Sequence, residues 1–227
     1  MRRQSLLFDI GATVVADASV MINVCACGVG RAVLEALPVR LMMARAAIVE
    51  VATDRRTGRA DDQILAGFLS DGLVEEGQLD DAGEEIFAKL VIGGAAETLD
   101  DGEAASIALA LTRGLAVVID ENKANGLCVR RFPQLVRLSS GDLFVHDGVA
   151  ARLGAAGLCE AVFNALRLAR MRVQEHHLEA IVALLSAERL QQCPSLPIHV
   201  RRRTQTAIEP TPAGGRDAMY DVFANGR

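Results

Sequence analysis

Residues 99–120 read LDDGEAASIALALTRGLAVVID, and the reading of this stretch decides the fold class. Ala104, Ile107, Ala108 and Leu111 recur at i, i+3, i+4 and i+7, the spacing of one apolar helix face, and Gly114 is placed to stop that helix. AVVID, residues 116–120, is a short buried-type strand that ends in an acid. Asp100 and Asp101 precede the helix and are assigned mainly to capping, because carboxylates satisfy orphan N–H groups and suit the helix dipole. A helix from Glu103 to Arg113 carries the chain ~15 Å away. The strand back to Asp120 returns it by ~15 Å. Glu103 and Asp120 are therefore expected at one edge of a domain.

The same alternation extends in both directions. TVVAD (13–17) reads as a strand followed by the helical SVMINVCACG, and a unit from Leu41 through ARAAIVEVATD reads as a short strand leading into a helix. Helices are expected over 61–69 and 82–92, with a strand at 73–75 between them. A further helix is expected over 123–131, ended by Pro133, and a last strand over 135–138. Alternating strands and helices predict a three-layer α/β/α domain with a mostly parallel central sheet over 1–147. Beyond it, 148–192 reads as a helical extension packed on or beside that domain, with Leu178, Ile181, Val182 and Leu185 at helical spacing. Residues 193–227, rich in Pro, Gly and Thr without periodicity, read as a flexible tail.

Composition narrows the function classes. Of 227 residues, 51% are hydrophobic but only 4% aromatic, with one Tyr and no Trp, so a base-stacking platform is not expected. A net charge of −5 argues against binding by bulk positive charge, although acids that hold a metal would contribute to that balance. Basic residues cluster at Arg167, Arg170 and Arg172 and at Arg201, Arg202 and Arg203. The five cysteines, an odd number set mostly in apolar stretches, suit reduced thiols in a cytoplasmic protein. Cys25-x-Cys27 lacks a second pair at zinc spacing. No stretch of bilayer-spanning length is free of charge, since Asp17 and Arg113 interrupt the two candidates, and no membrane partner is expected.

Two strands end in the same chemistry, Asp17 and Asp120, and a parallel sheet places both at its carboxyl edge, where open α/β sheets bind ligands. Glu103 belongs to the same rim. Glu50 is a fourth candidate, because Ala46 to Ala52 holds no other polar residue. Gathered carboxylates raise one another's pKa, and a hard divalent cation with oxygen ligands, Mg²⁺ or Mn²⁺, is a physical reason to gather them. Such a site activates water for attack on a phosphodiester.

These segments resemble a known family. VVADASVMIN (14–23) resembles the opening strand of PIN domains, the metal-dependent ribonucleases that include VapC-type toxins. IVEV (48–51) is similar to their second acidic motif. DGEAASIALALTRGLAVVIDENKA (101–124) is similar to the third and fourth, and LVRLSSGDLF (135–144) to the last strand and helix. The resemblance spans roughly residues 12–150 and is most specific over 100–123. It implies an acidic metal site of Asp17, Glu50, Glu103 and Asp120, with Ser19 supporting Asp17 and Asn122 as a further polar group. It further implies an endoribonuclease that hydrolyses RNA with a metal-activated water to leave 5′-phosphate and 3′-hydroxyl ends. A toxin paired with an antitoxin protein is one setting it implies. The chain departs from the family in its length, in Ser106 within the third motif, and in Glu121 and Asn122 where a pair of aspartates is common.

Other readings are weaker. FDIGAT (8–13) resembles a haloacid-dehalogenase phosphatase start, but Gly11 stands where the second Asp is needed. GVGRAV (28–33) lacks the third small residue of a dinucleotide loop. His146, His176, His177 and His199 are given surface or interface roles, and Asp142 a capping role. The apolar extension makes a homodimer the expected assembly. The competing reading is a PIN-like module that binds RNA or protein without cutting.

Overall fold

In the computed structural model, described over residues 11–53, 59–94 and 97–202, five strands form one all-parallel sheet. The strands are β1 (Thr13–Ala16), β2 (Arg40–Ala44), β3 (Val74–Gly77), β4 (Ala116–Val118) and β5 (Arg137–Leu138), in the order β3-β2-β1-β4-β5. The chain moves outward from β1 through β2 to β3, then returns to the other side of β1 for β4 and β5. The strand order thus reverses between β1 and β4, where Val14, Val15 and Ala16 register against Ala116, Val117 and Val118. Such a switch point opens a crevice at the carboxyl ends of the strands.

Twelve helices cover the sheet among the described residues: α1 (Ala18–Ala26), α2 (Gly30–Ala36), α3 (Arg45–Thr53), α4 (Asp61–Ser70), α5 (Asp81–Val91), α6 (Asp101–Arg113), α7 (Asn122–Arg131), α8 (Ser140–Phe144), α9 (Asp147–Leu168), α10 (Glu175–Ala183), α11 (Ala187–Gln191) and α12 (Ile198–Arg201). The central strands β1 and β4 are apolar on both faces, as parallel strands covered twice must be, whereas the edge strand β3 carries Glu75 and Glu76. Val14, Ala16, Leu41, Met43 and Val118 point into one core, while Val15, Ala44, Val117 and Ile119 point into the other.

The second core is built around α6. Nine consecutive residues from Gly102 to Ala110 are buried, and the helix packs on α5, α3, β1, β2 and β4. Alanines at 104, 105, 108 and 110 let it lie close on all sides, while Ile107 and Leu109 fill the space between; burial of each such large side chain stabilises the fold by about 1.5–3 kcal/mol. Gly114 ends the helix at φ +64, and its N–H returns to Ala110 and Leu111 carbonyls. This is the left-handed terminus that glycine adopts without a Cβ penalty.

The C-terminal helices belong to the first core. Val149, Leu158, Val162 and Leu166 of α9 and Ile181 of α10 are buried in the same cluster as Val14 and Met21, and α9 packs on α1 and α2. On length and hydropathy α9 could cross a bilayer, and 39% of its apolar window is buried against the rest of the protein. The expectation of a flexible tail from residue 193 is corrected for residues 193–202: Cys193, Leu196 and Val200 are buried, and a short helix covers Ile198–Arg201. Their aliphatic side chains close the core under α11 and α12, a contact that the Pro-rich local composition does not reveal. Residues 1–10, which include the first half of the phosphatase-like FDIGAT, and 203–227, which include Arg203, lie outside the described residues.

Candidate metal centre

Asp17 directly follows β1, and Asp120 lies two residues beyond β4, so the switch point brings both to one edge. The Asp17 N–H donates to the Val118 carbonyl at 3.1 Å, which fixes the two strand ends together. Asp17 also caps α1, its Oδ2 accepting from the Ser19 hydroxyl at 2.7 Å and the Ser19 N–H at 3.3 Å. Ser19 therefore supports Asp17 as expected, and it occupies one oxygen only. The other, Oδ1, is buried and has no hydrogen-bond partner among the described residues.

Asp120 is held differently. Its Oδ1 accepts from the Ser140 N–H at 2.8 Å. Its Oδ2 accepts from the Ser140 hydroxyl at 2.6 Å and from Asn23 Nδ2 at 2.9 Å. Asn23 also donates to Ser140 Oγ at 3.0 Å, closing a buried triangle. Three donors set the plane of this carboxylate.

Glu103 enters from the start of α6, where its N–H is capped by Asp100 Oδ1 at 3.1 Å. Glu50, on α3, is half-buried, and its Oε2 rests against Gly102; a Cβ at that glycine would stand 2.1 Å from it. Only glycine at the helix start admits the carboxylate of Glu50 so closely. The variant G102A is expected to push Glu50 aside and weaken Mn²⁺ binding by roughly 10–100-fold, a typical effect of disturbing the shell around metal ligands. Calorimetric titration checks this, and an unchanged affinity would remove Glu50 from the site.

The charges oppose one another. Burial, then the nearby charges of Asp100, Asp17 and Glu121, pushes the Glu103 carboxyl up to about 8. Burial also raises Asp17 above the ordinary carboxylate range against the pull of its Ser19 hydrogen bonds, and Asp100 adds to the rise. Asp120 is pushed up to about 6 by burial and by Asp17, despite its bonds from Ser140. These couplings bring Asp17, Glu103 and Asp120 into one electrostatic cluster and add Asp100 and Glu121. Asp100 is the helix cap anticipated for it and also faces the cluster.

Asn122 does not join this group. It is exposed as the first residue of α7, and its side chain makes no hydrogen bond among the described residues. A first helical residue after the Glu121 cap points outward, and the amide at the site is Asn23. The signal for Asn23 was present in the sequence, since it is the one polar side chain between Ser19 and Cys27. Ser140 carried no such signal, because only the fold brings it to Asp120.

The site also leans on the C-terminal helices. Gln174 Nε2 donates to the Asp120 carbonyl at 3.2 Å, and Arg172 pairs with both oxygens of Glu121 at 3.1 Å. His177 lies 2.9 Å from Asp142, whose other oxygen forms the capping box with Ser139 at the start of α8, next to Ser140. His177 thus packs inward rather than on the surface, close over Gly141. His176 and His177 with Asp142 also gather three ligand-type atoms, the one such group among the described residues, with Asp142 Oδ2 already accepting from Ser139.

By chemistry the acids suit a hard divalent cation, although their oxygens do not gather within 4.8 Å of one another as the ligand-type atoms of Asp142, His176 and His177 do. The donors are all oxygen, one buried carboxylate oxygen lacks a hydrogen bond, and the clustered acids repel one another unless positive charge is added. Asp17, Glu103 and Asp120 would hold the cation, with Glu50 beside them. Sulfur ligation does not compete: burial pushes the Cys25 thiol up to about 12 and those of Cys27, Cys128 and Cys193 up to about 11, so all stay protonated at neutral pH.

No family model, curated protein or solved structure matches the chain.

Proposed function

We propose that the protein is a divalent-metal-dependent endoribonuclease of PIN type. The observation that carries this reading is the meeting of Asp17, Glu103 and Asp120 at the sheet's switch point, with Asp17 Oδ1 left without a hydrogen bond. A Mg²⁺ or Mn²⁺ ion held there supplies Lewis acidity toward a phosphoryl oxygen and lowers the pKa of water. The chain's own part is to orient. Ser19 fixes one oxygen of Asp17 and leaves the other buried without a hydrogen bond among the described residues. Asn23 and Ser140 restrain the Asp120 carboxylate through three hydrogen bonds. Glu103 is kept at the rim by the Asp100 cap at the head of a fully packed helix, so it has little freedom to turn away.

RNA fits better than a small ester, because an arginine-lined cleft adjoins the acids. Cleavage would leave 5′-phosphate and 3′-hydroxyl ends. The test is incubation of end-labelled single-stranded RNA with the protein in Mn²⁺, in Mg²⁺ and in EDTA. Fragments with 5′-phosphates are expected with metal and none in EDTA. RNA that is bound and left intact with every metal would overturn the nuclease reading in favour of a non-catalytic binding module.

A further inference from the structure

A cleft of about 610 Å³ opens beside the acids, within the range of roughly 300–1,000 Å³ typical of ligand sites. It is lined by Asn23, Asp120 and Glu121 from the site and by Arg167, Arg170 and Arg172 from the turn between α9 and α10. We infer that this turn, RLARMR over 167–172, is a strap that grips the phosphates of a single RNA strand next to Asp120 through Arg170 and Arg172. The inference rests on the nuclease reading and adds what holds the substrate.

The strap is anchored rather than loose. Met171 is buried, its N–H donates to the Ala165 carbonyl at 3.0 Å, and Gln174 reaches the Asp120 backbone. On either side of Met171 the arginines are exposed. Arg172 sets its fork against both oxygens of Glu121 at 3.1 Å, the planar two-oxygen contact that a phosphate offers equally well. Glu121 thus holds the fork in the shape a phosphate needs. Arg170 has no hydrogen bond or ion pair among the described residues, and its φ of +57 places it in the left-handed region favoured by glycine. Arg167 lies over the ring of Phe163 at 5.2 Å, which pins its guanidinium at the cleft.

The chemistry of the cleft selects the ligand class. Arg167, Arg170 and Arg172 outnumber Asp120 and Glu121 in the cleft lining, which leaves it an excess of positive charge on a protein of net charge −5. No Phe, Tyr or Trp lines the cleft, so bases have no aromatic surface to stack on. Recognition then falls on the backbone, which carries no sequence information.

Binding of a short fluorescein-labelled single-stranded RNA, followed by anisotropy in EDTA so that nothing is cut, tests the strap. R170G/R172A is expected to bind at least about tenfold more weakly than wild type. Its dependence of log affinity on log salt, between about 50 and 200 mM, should be shallower by ~1.4, two phosphate contacts at about 0.7 each. R170G alone should melt no lower than wild type, because glycine suits that backbone conformation, which separates loss of binding from loss of fold. R170K/R172K should keep most of the salt slope and lose affinity, since charge remains without the fork. Equal affinity and slope in R170G/R172A and wild type would overturn the strap, whether or not wild type cuts RNA. Failure of wild type to cut with Mn²⁺, alongside the expected loss of binding, would overturn the nuclease reading and leave the strap standing.

Discussion

D17N is expected to abolish RNA cleavage, by at least about a thousandfold or roughly 4 kcal/mol of barrier, while the protein stays folded. Asparagine caps helices as well as aspartate does, so the bond from Ser19 and the start of α1 survive. What disappears is the charge on the carboxylate whose Oδ1 has no other partner. D120N is a less clean probe. Its amide nitrogen would replace an acceptor that now receives either the Ser140 N–H or the Ser140 hydroxyl and Asn23. A donor facing donors in a buried site costs about 1–3 kcal/mol, so D120N is expected to lose stability together with activity. Cleavage assays paired with thermal melts check both. Full activity in D17N would sink the metal centre, and equal melting of D120N and wild type would sink the hydrogen-bond triangle.

The metal-free protein is expected to lose stability as pH rises, and Mn²⁺ to restore it. Burial and neighbouring acids hold the folded-state pKa of Glu103 at about 8 against 4.5 for the ordinary group. Between those values the folded state binds more protons than the unfolded state, so stability falls with rising pH. The contribution is complete below about 4.5 and lost as pH passes 8. Asp120 acts in the same direction over a lower window, from 3.8 to about 6. Each fully responding group contributes up to ~1.4 kcal/mol per pH unit. For a chain of this size ~1 kcal/mol moves the melting temperature by about 2–4 °C. Melting in EDTA between about pH 5 and pH 8 should therefore show a fall of up to roughly 10 °C, flattened in E103Q. Mn²⁺ at a hundredfold excess over its Kd adds about 2.7 kcal/mol at the upper end. A melting temperature that rises with pH in EDTA would contradict the buried, mutually repelling acids.

Much of the framework was legible locally. The run from Asp100 to Asp120 carries a cap, a helical period, a glycine stop and an apolar strand, and the structure has these features in that order. Each is a short-range property of the backbone, set by which residues tolerate which dihedrals and which face is apolar. The placement of Asp17 and Asp120 at one edge also followed, because parallel strands share a direction. Asn122, named from the resemblance, stands exposed as the first residue of α7.

What the sequence by itself determined was an α/β chain with acids at two strand ends and at one helix start. Tertiary structure alone decided how those acids are held. Asn23 reaches Asp120 across 97 positions of sequence, and Asn23 reaches Ser140 across 117. The C-terminal helices, which read as an extension, fill the first core and deliver Gln174, Arg172 and the arginine strap to the rim. Periodicity states that a helix has an apolar face but not which surface covers it. That choice comes from the packing of every element at once, and the hydrogen bonds that orient the site exist only after the packing is made.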